Sequence, residues 1–70
     1  PAQASVQVEI PTNCRGLINE LILTDGSGRI LHHQTVTDHT DVDMRNMSNG
    51  VYIIRLQTTH GTFSKRVLKQ

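Results

Sequence analysis

The stretch Ser48-Asn49-Gly50-Val51-Tyr52-Ile53-Ile54-Arg55-Leu56-Gln57-Thr58 decides the fold. Ser48-Asn49-Gly50 is a cluster of turn residues. Behind it the chain alternates. Successive side chains of a strand point to opposite faces, so Tyr52, Ile54 and Leu56 share one side while Val51, Ile53, Arg55 and Gln57 share the other. That pattern predicts a strand with one buried face. His60-Gly61 then turns the chain, and Thr62 to Leu68 returns as a last strand carrying Phe63, Val67 and Leu68.

Upstream the same period of two repeats. In Ser5-Val6-Gln7-Val8-Glu9-Ile10 the apolar Val6, Val8 and Ile10 face one way. Pro11 lacks the N–H that would continue a ladder, so this strand ends there and Thr12 to Gly16 reads as a loop. Leu17, Leu21 and Leu23 share a parity, with Ile22 opposite, which predicts a strand over Ile18 to Thr24. Asp25-Gly26-Ser27-Gly28 is the strongest turn signal in the chain, because Gly supplies positive φ and Asp starts such turns through its side chain. Arg29 to Thr37 returns as a strand and completes a hairpin. Asp38-His39-Thr40 reads as a second break, and Asp41-Val42-Asp43-Met44 as a short strand. No helical periodicity runs beyond two turns. Turns separating short alternating segments predict an all-β fold, a small antiparallel β-sandwich of six or seven short strands.

Size and composition narrow the function. Seventy residues make one domain at most, and so short a chain buries only about 60% of its unfolded surface. One Tyr, one Phe and no Trp leave Val, Ile and Leu to build the core, with little over to line a ligand cavity. Net charge is +1, from seven basic and six acidic residues read as spread along the chain. A nucleic-acid binder shows a basic stripe with interleaved aromatics, and neither is present. No apolar run approaches the length of a membrane-spanning helix.

The residue types that carry chemistry do not assemble. His32 and His33 are neighbours on one strand and point to opposite faces. His39 and His60 fall in turns, near Asp38 and Asp41. Asp41 and Asp43 lie about 7 Å apart on one strand face, too few oxygens for a calcium site. Asp25-Gly26-Ser27-Gly28 precedes a strand, whereas a phosphate cradle opens a helix. Cys14 has no intramolecular partner and reads as a small, inert loop residue after Pro11. Lys65, Arg66 and Lys69 make the last strand mildly basic. Two readings of them stay open: lysines that keep an edge strand from aggregating, or a docking strand. The sequence predicts no enzyme, cofactor, metal, nucleic-acid partner or small-molecule substrate.

Three segments, in order and spacing, resemble one family. Leu23-Thr24-Asp25-Gly26-Ser27-Gly28-Arg29-Ile30-Leu31 resembles a strand, an Asp-x-x-Gly-Arg turn and a second strand. Asp43-Met44-Arg45-Asn46-Met47-Ser48-Asn49-Gly50-Val51-Tyr52 resembles Asp-Leu-Ser-x-Leu-x-x-Gly-Val-Tyr, with Arg45 where Ser is usual and Met47 where Leu is usual. Gly61 with Lys65-Arg66-Val67-Leu68-Lys69 resembles a late Gly followed by a basic, β-branched last strand. Together they look like the C-terminal sorting domain of the type IX secretion system, which exports proteins across the outer membrane of Bacteroidetes. The resemblance runs from about Val6 onward, and the Asn-Pro often found ahead of the domain is missing.

The resemblance implies an immunoglobulin-like sandwich at the end of a longer exported precursor, with residues 1–4 as linker and residues 1–70 as the single sorting domain. It implies passage through the periplasm to the outer membrane, cell surface or medium. Its partners would be the translocon, an outer-membrane shuttle and a sortase-like peptidase that removes the domain and attaches the cargo to the surface. The recognition residues it implies are Asp25, Gly28, Arg29, Asp43, Gly50, Tyr52, Lys65, Arg66, Val67 and Lys69. Gly28 and Gly50 would allow turn angles, Tyr52 would anchor the core with its hydroxyl at a polar edge, and the last strand would lie at a sheet edge open to a partner. The alternative reading is an immunoglobulin-like adhesive or carbohydrate-binding module.

Overall fold

Alternating segments become six strands in chain order: β1 (Ser5–Glu9), β2 (Asn19–Asp25), β3 (Ile30–Val36), β4 (His39–Asp43), β5 (Gly50–Thr58) and β6 (Gly61–Lys69). The computed structural model describes residues 5–70, so the expected linker at residues 1–4 lies outside the described residues. β1 pairs antiparallel with β4 in a two-stranded sheet, and the other strands form an antiparallel sheet in the order β3-β2-β5-β6. The chain leaves the first sheet after β1, builds the β2–β3 hairpin opposite, returns for β4, and crosses again for β5–β6. This is the connectivity of strands B and E against C′, C, F and G of an immunoglobulin-like sandwich.

The core lies between the two sheets. Leu21 and Leu23 of β2, Val36 of β3, Tyr52, Ile54 and Leu56 of β5 and Val67 of β6 meet Ile10, Val42 and Met44 from the other side. Val6 and Val8 pack against this cluster half-buried. The parity of β5 is as the sequence predicts, with Tyr52, Ile54 and Leu56 all inward.

Four local expectations are corrected. β2 starts at Asn19, and Ile18 beside it is 74% exposed. Asn19 rather than Leu17 takes the first inward position because its side-chain amide donates at 3.2 Å to the carbonyls of Cys14, Leu17 and Val36. Those bonds tie the entering loop to the far end of β3. Cys14 is not in an open loop: Thr12–Cys14 form a 3₁₀ turn that carries its thiol fully into the core. The break before β4 is shorter than expected, since His39 and Thr40 already pair with Glu9 and Val8. In β6 only Val67 of the three apolar residues reaches the core, while Phe63 and Leu68 are exposed.

Candidate recognition surface

The Asp25 turn is held by one carboxylate. Its Oδ1 accepts the Ser27 hydroxyl at 2.6 Å, the Ser27 N–H at 2.9 Å and the Arg29 N–H at 3.0 Å. The Arg29 guanidinium lies 3.4 Å from Oδ2. The Ser27 hydroxyl bond is the largest influence drawing the Asp25 pKa below its ordinary value. Gly28 closes the turn at φ +91°, a backbone angle that a side chain disfavours. Asp25, Gly28 and Arg29 thus form one unit that fixes the β2–β3 hairpin.

Register then joins residues far apart in the chain. Asp25 stands opposite Tyr52, and Tyr52 opposite Val67, so one row crosses β2, β5 and β6. Gly50, at φ +153°, pairs with Lys69 at the same end of the sheet. The Tyr52 ring is buried, and its hydroxyl donates to the Ser48 carbonyl at 2.5 Å. A tyrosine at the start of this strand bonding back to the preceding corner is the tyrosine corner of immunoglobulin-like domains. It clamps the 44–49 connection, whose first turn is closed by the Met47 N–H on the Met44 carbonyl.

Asp43 stands apart from that row, on the other sheet. It grips Arg45 through a two-pronged ion pair, with Nε 3.1 Å from Oδ1 and Nη2 3.0 Å from Oδ2, and also accepts the Arg45 N–H at 3.0 Å. These bonds, the side-chain pair first, lower the Asp43 pKa to about 2. Arg45, where the resembled motif has Ser, therefore has a local role: it neutralises the carboxylate that opens this connection.

β6, like β3 on the other side, is an outer strand of its sheet, and among the described residues it is hydrogen-bonded to β5 alone. Its basic residues divide between two sides. Lys65 and Lys69 share the inward parity of Val67, and Arg66 faces outward beside Ile53. Lys69 is only 9% exposed. Lys65 lines a groove of about 220 Å³ between β1 and β6, with Val6, Val8, Ile54, Leu56 and Phe63.

Charge is segregated, and the balanced net charge concealed it. All six carboxylates lie at or before Asp43, whereas Arg45, Arg55, Lys65, Arg66 and Lys69 lie after it. Arg15, Arg29 and Arg45 are each within 3.4 Å of an aspartate oxygen. Among the described residues, Arg55, Lys65, Arg66 and Lys69 have no carboxylate within ion-pair distance, and all four belong to β5 or β6. Arg55 is thus a candidate that sequence reading passed over; the signal that would have found it is the carboxylate-free run from Met44 onward.

The histidines disperse. His32 contacts Gln34, His33 faces Glu20, and His39 lies beside Asp38. No three of the described His, Cys, Asp and Glu side chains gather closely enough to hold a metal ion.

The model of the secretion system C-terminal sorting domain matches residues 1–70. Neither a curated protein nor a solved structure matches.

Proposed function

This chain belongs to the secretion-system C-terminal sorting domains of the type IX pathway, and from that premise we propose that the export machinery reads it chiefly through β6. Membership makes it a sorting signal, whose partner is the secretion machinery and whose attached cargo is exported to the outer membrane or beyond. In the finer reading, Lys65, Arg66, Val67 and Lys69 form the strand that is read. Asp25, Gly28, Arg29, Asp43, Gly50 and Tyr52 hold the sandwich that presents it. The domain passes through the periplasm bound by an outer-membrane shuttle, crosses the translocon, and is removed by a sortase-like peptidase as the cargo is fixed to the surface.

The observation that supports this reading is the position of β6. An edge strand offers a row of unpaired backbone donors and acceptors, and a partner that adds a strand gains affinity from them and specificity from alternate side chains. Here the edge also carries unpaired cations, which speed encounter with an acidic partner.

Transplantation tests it. Residues 1–70 are fused behind a reporter exported to the periplasm. The reporter should leave a host that has the type IX machinery and stay periplasmic in one that lacks it. Removing Lys65 to Gln70 should trap the fusion. Lys65→Ala with Lys69→Ala should leave strand addition intact while weakening the salt-sensitive part of docking. Retention of the intact, folded fusion in a competent host refutes the reading.

A further inference from the structure

The outer face of the four-stranded sheet is polar at one end, with Glu20, Thr35, Gln57 and Thr62, and apolar at the other, where a solvated face should be polar. An antiparallel sheet with one wet side normally alternates apolar in and polar out. Here the run Val51-Tyr52-Ile53-Ile54 on β5, and Leu21-Ile22-Leu23 on the neighbouring β2, are apolar on both parities. Uninterrupted apolar runs are the mark of strands covered on both faces. The inward set fills the core. The outward set does not: Ile30 is 62% exposed, and Val51 and Leu68 are each 42% exposed. Register places them together, with Ile30 opposite Thr24, Thr24 opposite Ile53, and Val51 opposite Leu68.

Two cations stand within this patch. Arg66 lies opposite Ile53, and Arg55 lies between Ile22 and Ser64. Both face outward and neither has a carboxylate partner among the described residues. They are diagonal neighbours on adjacent strands, about 7–8 Å apart by sheet geometry, so their charges repel; Glu20, diagonal to Arg55 on the same face of β2, offsets this at the Arg55 end and not at Arg66. A partner carboxylate would relieve that repulsion.

We propose that this face, centred on Ile53 with Arg55 and Arg66, docks a protein surface that presents apolar side chains flanked by carboxylates. The occupant is chosen by charge. A second copy stacked on the same face would set arginines against arginines, which costs affinity. A membrane surface is disfavoured because the face has none of the aromatic side chains that anchor proteins at lipid interfaces. The inference rests on the sorting role, and it adds to the β6 edge a second, broad surface by which the machinery holds the folded domain.

The reporter fusion tests it in a type IX host. Arg55→Glu with Arg66→Glu should lower the exported fraction about tenfold or more, because like charges then meet across the interface. Arg55→Lys, which keeps the charge at a residue outside β6, should stay close to the unaltered fusion. Melting followed by circular dichroism establishes that each variant is folded. Independently of any arginine variant, a photo-crosslinker at Val51 should join a protein peptide containing Asp or Glu, whereas one at His60 should not. Changing those acidic residues to Lys should restore export of the double-Glu variant. Export of a folded double-Glu variant at the unaltered rate, or a Val51 crosslink to lipid or to a second copy, overturns the proposal. An unaltered fusion that stays periplasmic overturns the sorting reading and this proposal with it.

Discussion

Replacing Tyr52 by phenylalanine keeps the ring in the core and removes only the hydroxyl that reaches the Ser48 carbonyl. Ser48 is exposed, so water takes over its carbonyl and no orphaned acceptor adds to the loss. The cost is then the net worth of one hydrogen bond, about 0.5–1.5 kcal/mol. Alanine at the same position removes the ring as well, and truncating a buried aromatic costs about 3–5 kcal/mol. Folded domains are stable by roughly 0.05–0.15 kcal/mol per residue, so phenylalanine leaves this domain folded and alanine takes most of its margin. With a urea slope of about 1 kcal/mol per molar for so small a chain, the phenylalanine variant should unfold about 0.5–1.5 M earlier. Far-UV circular dichroism is the assay, since the substitution removes the only tyrosine. A phenylalanine variant with the parent midpoint would refute the corner clamp. An alanine variant with the parent midpoint would refute the inward position of the ring.

Two further outcomes follow from the site geometry. Asp43 titrates near 2 in the folded chain, against about 3.9 when unfolded. A depressed native pKa contributes stability that is full above pH ~4 and is lost as pH falls towards 2. Asp43→Asn should therefore lower the melting temperature near neutral pH, with the gap to the parent closing through that window; a gap independent of pH would count against the Arg45 pair. Cys14→Ser should destabilise the fold by about 1–3 kcal/mol, because it replaces a weakly polar thiol buried in the core cluster by a hydroxyl that loses more hydration on burial. In the parent, a thiol reagent should modify Cys14 only as the protein unfolds, and immediate labelling under native conditions would place the thiol at the surface.

What the sequence disclosed divides along local and non-local lines. The parity of β5, the Asp25 hairpin and the stop at Pro11 depend on neighbouring residues, and each was readable from alternation and turn chemistry. Asn19 was not, because its inward position is set by the Val36 carbonyl at the far end of a hairpin. Cys14 was misplaced for a similar reason: a loop of polar composition conceals one inward side chain when a 3₁₀ turn rotates it. In β6, Val67 and Leu68 are adjacent apolar residues, and only the register with Tyr52 and Val51 decides which enters the core. The row joining Asp25, Tyr52 and Val67 likewise exists only after β2, β5 and β6 assemble. The cationic character of β5–β6 was present in the order of charged residues and hidden by their total.

β6 is fastened to the body differently from its neighbours. β2 and β5 are each hydrogen-bonded on both sides, while β6 has β5 alone and gives the hydrophobic core a single side chain, Val67. Peeling it away breaks one ladder and leaves those of β3-β2-β5 and β1-β4 whole. Such a partial opening lies well below global unfolding in free energy, so the amides of β6 should exchange with solvent deuterium sooner than those of β2. β6 is thus a strap that can fray while the remainder stays native, and a receptor able to capture the frayed form would hold the folded body through an extended strand.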